Sequence, residues 1–123
     1  MTRQNLIYRI YIGHRCVYIG TTTGGLTNTL RMHFMGAQAT TQIDIERVSK
    51  IEYAILQSQA DCLVYKAYYV NLIKPIYNKS DKARDVLSEG VILPELNFIE
   101  YKDPIMDKWK EMCKTEQFNL FDQ

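Results

Sequence analysis

Leu6-Ile7-Tyr8-Arg9-Ile10-Tyr11-Ile12-Gly13-His14-Arg15-Cys16-Val17-Tyr18-Ile19-Gly20 is the stretch from which the fold of this chain is read. Leu6 to Ile12 is rich in Ile and Tyr, residues that suit a pleated, half-buried surface, and reads as a strand. Gly13-His14-Arg15 is a short turn, and Cys16 to Gly20 reads as a second strand, so the two form a hairpin.

The hairpin leads into a polar loop, Thr21 to Gly25. Leu26, Leu30, His33 and Phe34 then recur at helical spacing, which predicts a helix over Leu26 to Met35 with Gly36 as its C-terminal cap. Ala37 to Val48 is Thr/Gln-rich and contains a loop. Lys50 to Leu56 reads as a third strand. Ala60 to Ile73 carries Leu63, Val64, Ala67 and Val70 on one face and reads as a second helix, stopped by Pro75 because proline disfavours helical geometry in the residue before it. Residues 79–90 are charged and loop-like or weakly helical. Ile105 to Lys114 predicts a third, amphipathic helix with Pro104 at its first turn, and 115–123 is a tail. The order strand, strand, helix, strand, helix gives an α/β (α+β) class: a small three-stranded, largely antiparallel sheet flanked by helices, followed by a helical C-terminal extension.

The 123 residues suit one domain with an appendage, divided here as 1–80 and 81–123. A chain of this size buries roughly two-thirds of its unfolded surface. The net charge of +1 does not make it basic, but the charge is uneven. Residues 1–80 hold nine Lys+Arg against four Asp+Glu, and 81–123 hold six against ten. A positive N-terminal part suits contact with phosphate, although ordinary surface charge explains it equally well. Cys16, Cys62 and Cys113 form no CxxC pair, and His14 with Cys16 makes two ligands at most, so no metal site is expected from spacing. Unpaired cysteines and the lack of a long apolar run near the N-terminus point to a reduced, cytoplasmic setting without a membrane span.

Four motifs in order resemble those of the GIY-YIG nuclease superfamily. Ile7-Tyr8 stands for the first motif, with Leu6 in place of its glycine, and Tyr18-Ile19-Gly20 for the second. Leu26, Leu30 and His33 match the family's Leu-x-x-Arg-Leu-x-x-His helix, and Lys74-Pro75-Ile76-Tyr77-Asn78 matches its closing motif. The resemblance covers residues 5–79 and implies DNA phosphodiester hydrolysis: a tyrosine to position water, an arginine to steady phosphate, and a glutamate to hold Mg²⁺ or Mn²⁺.

Carried over residue by residue, the resemblance makes Tyr8 and Tyr18 catalytic candidates, beside the plain reading that tyrosines pack well in strands. The arginine position falls on Thr29, and Arg31, roughly 200° further round the helix, is the substitute candidate. The glutamate position falls on Lys66, and a lysine ammonium has no lone pair for a metal. Lys66 is either a plain surface residue or a phosphate-binding cation. Asp61 is explained by its place at a helix start, and Glu52 on the third strand is a candidate substitute carboxylate. His33 touches phosphate or water, or else completes helix packing, and Asn78 is a nucleic-acid candidate whose simpler task is fixing the backbone after the second helix.

Gln117-Phe118-Asn119-Leu120-Phe121 resembles the short peptide with which bacterial proteins bind the DNA sliding clamp, with Gln117 at the rim of a pocket and Leu120 and Phe121 inside it. The alternative is that these apolar residues fold back on the chain's own core. Two functions stay open at this point. One is a catalytically degenerate nuclease-like module that binds DNA or a replication or defence protein, as a small phage or mobile-element accessory would. The other is an active metal-dependent endonuclease with a rearranged site.

Overall fold

A computed structural model of the chain describes residues 4–35, 43–79 and 86–121, with side chains as far as Lys114. The hairpin is built from β1 (Asn5–Ile12) and β2 (Arg15–Thr22). Ile12 pairs with Arg15, which leaves Gly13-His14 as a two-residue turn, and Gly13 supplies the positive φ of +62° that such a turn needs. A helix, α1 (Leu26–Met35), follows with the bounds its periodicity predicts. Gly36 and residues 37–42 lie outside the described residues. A short 3-10 turn, Ile45–Arg47, is capped by the Asp44 side chain and leads into β3 (Lys50–Leu56).

The second helix, α2 (Gln59–Ile73), starts at Ser58, whose hydroxyl accepts from the Asp61 N–H at 3.0 Å. It ends at Lys74, which takes the left-handed conformation (φ 50°), and Pro75 prevents continuation. The expected buried face of this helix is corrected. Cys62 and Val70 are buried, while Leu63, Val64 and Ala67 are exposed. Cys62 and Val70 mark the side that rests on the sheet; Val64 and Ala67 point away from it, whereas Leu63 lies on nearly the same line as Val70, seven residues earlier, and is exposed at that earlier turn.

The sheet has four strands, not three, in the order β2-β1-β3-β4. The added strand, β4 (Ile99–Glu100), is two residues long and pairs Glu52 with Glu100 and Tyr53 with Ile99, all antiparallel. Tyr101 prolongs the contact by donating its N–H to the Ile51 carbonyl at 2.7 Å. The third helix, α3 (Ile105–Phe121), runs seven residues past the expected end at Lys114.

Side chains alternate along β1, so the two sheet faces have different covers. One face carries Leu6, Tyr8 and Ile10, packed with Leu26 and Leu30 of α1 and with Trp109 of α3. The other carries Ile7, Ile19 and Ala54 against Val70, Tyr65 and Tyr69 of α2, with Leu96 and Phe98 laid alongside. No helix among the described residues is long and apolar enough to cross a membrane.

Candidate functional site

Tyr8 sits mid-strand on the α1 face and is 1% exposed. Its register partner on β2 is Gly20, and the pairing explains the glycine. A Cβ built on Gly20 meets the Tyr8 hydroxyl and its Cζ, with Tyr18 Cε2 at 2.9 Å, so the Tyr8 ring occupies the space a side chain would need. Tyr18 stands two residues earlier on β2 and reaches the same face, half-buried. From above that face, α1 contributes His33, one turn beyond the buried Leu30.

These three rings form one cluster. The Tyr8 hydroxyl and His33 Nε2 are 2.5 Å apart. Ring centroids lie 6.2 Å apart for Tyr8 and Tyr18, 5.9 Å for Tyr8 and His33, and 5.1 Å for Tyr18 and His33, the two contacts with histidine being edge-on. Burial, followed by the nearness of Tyr18, pushes the Tyr8 phenol well above its ordinary range. Burial also pushes the His33 imidazole below its ordinary 6.5. Near neutral pH Tyr8 and His33 are therefore both uncharged; Tyr8 is buried with its hydroxyl on His33, and the half-buried Tyr18 is the phenol placed to exchange hydrogen bonds with a phosphate oxygen or a water.

Asn78 fastens this cluster from behind. It is 1% exposed, and its amide bonds both ways to Ile19, the Oδ1 accepting from the Ile19 N–H and the Nδ2 donating to the Ile19 carbonyl, each at 2.8 Å. Tyr77 donates its N–H to the Val17 carbonyl at 2.9 Å. Tyr77 and Asn78 thus satisfy the outer edge of β2 where a further strand would, and hold Tyr18 and Gly20 in place.

The other expected site residues fall in different places. Thr29 is half-buried, its hydroxyl 2.7 Å from that of Thr22 and donating to the Gly25 carbonyl at 2.9 Å. Arg31 is exposed and donates to Asn28 Oδ1 at 3.0 Å, turned away from the rings. Glu52 does not reach the cluster. It faces the opposite side of the sheet, 3.2 Å from Arg9, because Arg9 and Glu52 are register partners next to Tyr8 and side chains alternate. Arg9 is itself spread over Phe98, 3.5 Å from that ring's centroid. Asp61 is exposed at the start of α2, and Lys66 is half-buried in the same helix. The side chains of Gln117, Leu120 and Phe121 lie outside the described ones, although their backbone is helical. Two residues went unread as parts of the site. Gly20 was signalled by a glycine inside a strand, where backbone or ring comes close. Thr22, whose partner Thr29 comes from a different element, had no local signal.

Among solved structures, the chain is similar to the GIY-YIG N-terminal endonuclease domain of UvrC from Thermotoga maritima, bound to its catalytic divalent cation, magnesium. Identity is 18%, the TM-score is 0.50, and the match covers 63% of this chain and 85% of the other. A point mutant of that domain, also bound to the catalytic divalent cation, matches at 17% identity with a TM-score of 0.50, covering 63% and 84%.

The chain has the GIY-YIG fold.

No protein-family model and no curated protein matches it. Within the GIY-YIG fold, the two strands of the paired motifs are β1 and β2, and Tyr8 and Tyr18 come together through the hairpin register. Among the described residues, no group of three or more His, Cys, Asp or Glu side chains gathers where it could hold a metal ion.

Proposed function

We propose that this chain is a GIY-YIG-type module that binds DNA through the Tyr8–Tyr18–His33 face and has lost hydrolysis. The observation that carries the reading is the state of the two charged positions. Thr29 stands where the resemblance puts an arginine and spends its hydroxyl on Thr22 and Gly25. Lys66 stands where it puts a glutamate. Hard divalent cations take oxygen ligands, carboxylates above all, and the residues here do not fit one: Tyr8, Tyr18 and His33 bring no carboxylate, and Glu52 is engaged with Arg9 behind the sheet. Without a cation or a metal, the charge that develops on a reacting phosphate goes unstabilised, a loss of several kcal/mol. What remains suits binding. Tyr18 presents a hydroxyl and a ring face, and His33 a ring nitrogen, on the side of the sheet away from α2 and Lys66. In this reading residues 1–80 carry the DNA site, 81–123 form an adaptor, and Gln117, Leu120 and Phe121 dock on a sliding clamp.

The test is incubation with supercoiled plasmid and short duplex, with Mg²⁺ or Mn²⁺, beside Tyr18→Phe and Tyr18→Ala. The expected result is duplex binding, weakened in Tyr18→Ala, with intact plasmid. Metal-dependent nicking that disappears in Tyr18→Phe overturns the reading in favour of an active endonuclease using Tyr8, Tyr18, His33 and Arg31.

A further inference from the structure

Arg15, Arg47 and Lys50 come from three separate stretches of chain and meet at one end of the sheet. Arg15 opens β2 as the register partner of Ile12, and Lys50 opens β3 as the partner of Tyr11. Arg47 closes the 3-10 turn just before β3. Ser49 ties that turn to the hairpin tip: its N–H donates to the Tyr11 carbonyl at 2.9 Å, and its hydroxyl donates to the Gly13 carbonyl at 2.8 Å. All three cations are exposed, and among the described residues none has a carboxylate at ion-pair distance, whereas Arg9, Lys102 and Lys114 are paired with Glu52, Glu100 and Glu111. Of the two acids in the same turn, Asp44 accepts from the Glu46 N–H at 3.0 Å, and Glu46 has a carboxylate oxygen buried. Lys50 is held over the Tyr11 ring, 4.7 Å from its centroid.

We propose that this end of the sheet holds the phosphate backbone of a DNA duplex that also reaches Tyr18. This rests on the DNA reading above and adds where the backbone is held. Because β2 and β3 flank β1, the backbones at Arg15 and Lys50 are about 10 Å apart. Tyr18 lies three residues along β2 from Arg15, about 10 Å further. A duplex carries one charge per about 1.7 Å of its axis, so roughly six phosphates lie along either span. Arg15 and Arg47 can each fork two oxygens of one phosphate, and Lys50 acts as a point charge. Exposed like charges at this spacing repel weakly, since salt screens them over about 8 Å, so the free chain tolerates the cluster. An acidic protein would need carboxylates matched to three fixed points. A duplex offers anionic oxygens at every step, which suits long side chains brought together from separate segments.

Fluorescence anisotropy of a labelled duplex with the full chain, over a range of salt, tests this. The variants are Arg15→Gln, Arg47→Gln and Lys50→Gln, singly and together, beside Tyr18→Ala and Lys114→Gln. Each of the first three should weaken binding about three- to tenfold at about 0.15 M salt, alike on duplexes of unrelated sequence, and lower the salt slope by about one. Lys114→Gln, which removes a cation paired with Glu111 on α3, should change neither. Circular dichroism checks that each variant is folded. A triple variant with wild-type affinity and slope, while Tyr18→Ala weakens binding, overturns the proposal and leaves the DNA reading standing. A wild type that binds no duplex overturns both. Weaker binding with an unchanged slope, or an equal effect from Lys114→Gln, also overturns the proposal. So does poly-glutamate bound as tightly as duplex, which would assign the cluster to acidic proteins.

Discussion

His33 is held neutral by its surroundings, and this has a definite sign in a pH experiment. Its folded pKa lies below the ordinary 6.5 because burial disfavours the imidazolium. The unfolded chain therefore takes up a proton first as the pH falls. The contribution of the neutral ring to stability is complete above about pH 6.5 and declines from there toward the folded pKa. Thermal unfolding of wild type and His33→Gln should then diverge on acidification, with the wild type losing stability below neutral pH that the variant keeps. Parallel curves would mean that the ring is solvated. Chain order brought Tyr8, Tyr18 and His33 to notice, because a hairpin and a helix phase are local properties. Arg31 and Glu52 were harder to judge, since a strand's pleat and a helix's rotation decide which way a side chain points, and each is a residue or two out of phase with the cluster.

Among the elements, β2 depends on a feature that is not a strand. It is the edge of the sheet, and its outer hydrogen-bonding groups at Val17 and Ile19 are met by the Tyr77 backbone and the Asn78 side chain. Asn78→Ala would leave a buried N–H and a buried carbonyl of Ile19 unpaired, costing about 3 kcal/mol. Chemical denaturation should show that loss, and hydrogen exchange should show the Ile19 amide losing its protection before amides of β1. Normal protection in Asn78→Ala would contradict this account. The same scale marks where local pattern stops informing. A two-residue strand such as β4 has no period to read, and its pairing with β3 exists through tertiary contact alone. The exposure of Leu63 and Val64 was likewise hidden, because α2 is apolar on all sides and its periodicity favours none.

At the scale of the whole molecule, the C-terminal extension and the hairpin share one core. Trp109 of α3 is 5% exposed and belongs to the cluster that holds Tyr8, Leu26, Leu30 and Ile51. Lys110, next to it, donates to the Val48 carbonyl at 3.1 Å. Trp109→Ala should cost about 3–5 kcal/mol and lower the midpoint of a single unfolding transition. A separate early transition with an unchanged main one would mean that α3 is an independent unit. Antiparallel order, the hairpin and the bounds of α1 were legible in the sequence because each is set within about twenty residues. The docking of Trp109 of α3 into the core was not, since it joins positions a hundred residues apart.

The burial of Trp109 has a spectroscopic consequence. It is the chain's one tryptophan, so the protein carries a built-in optical label at the junction of α3 and the sheet. Its emission should lie at short wavelength while α3 is seated. A ligand that binds over the rings without disturbing the helix would leave the colour unchanged, whereas one that lifts α3 away would shift it to the red.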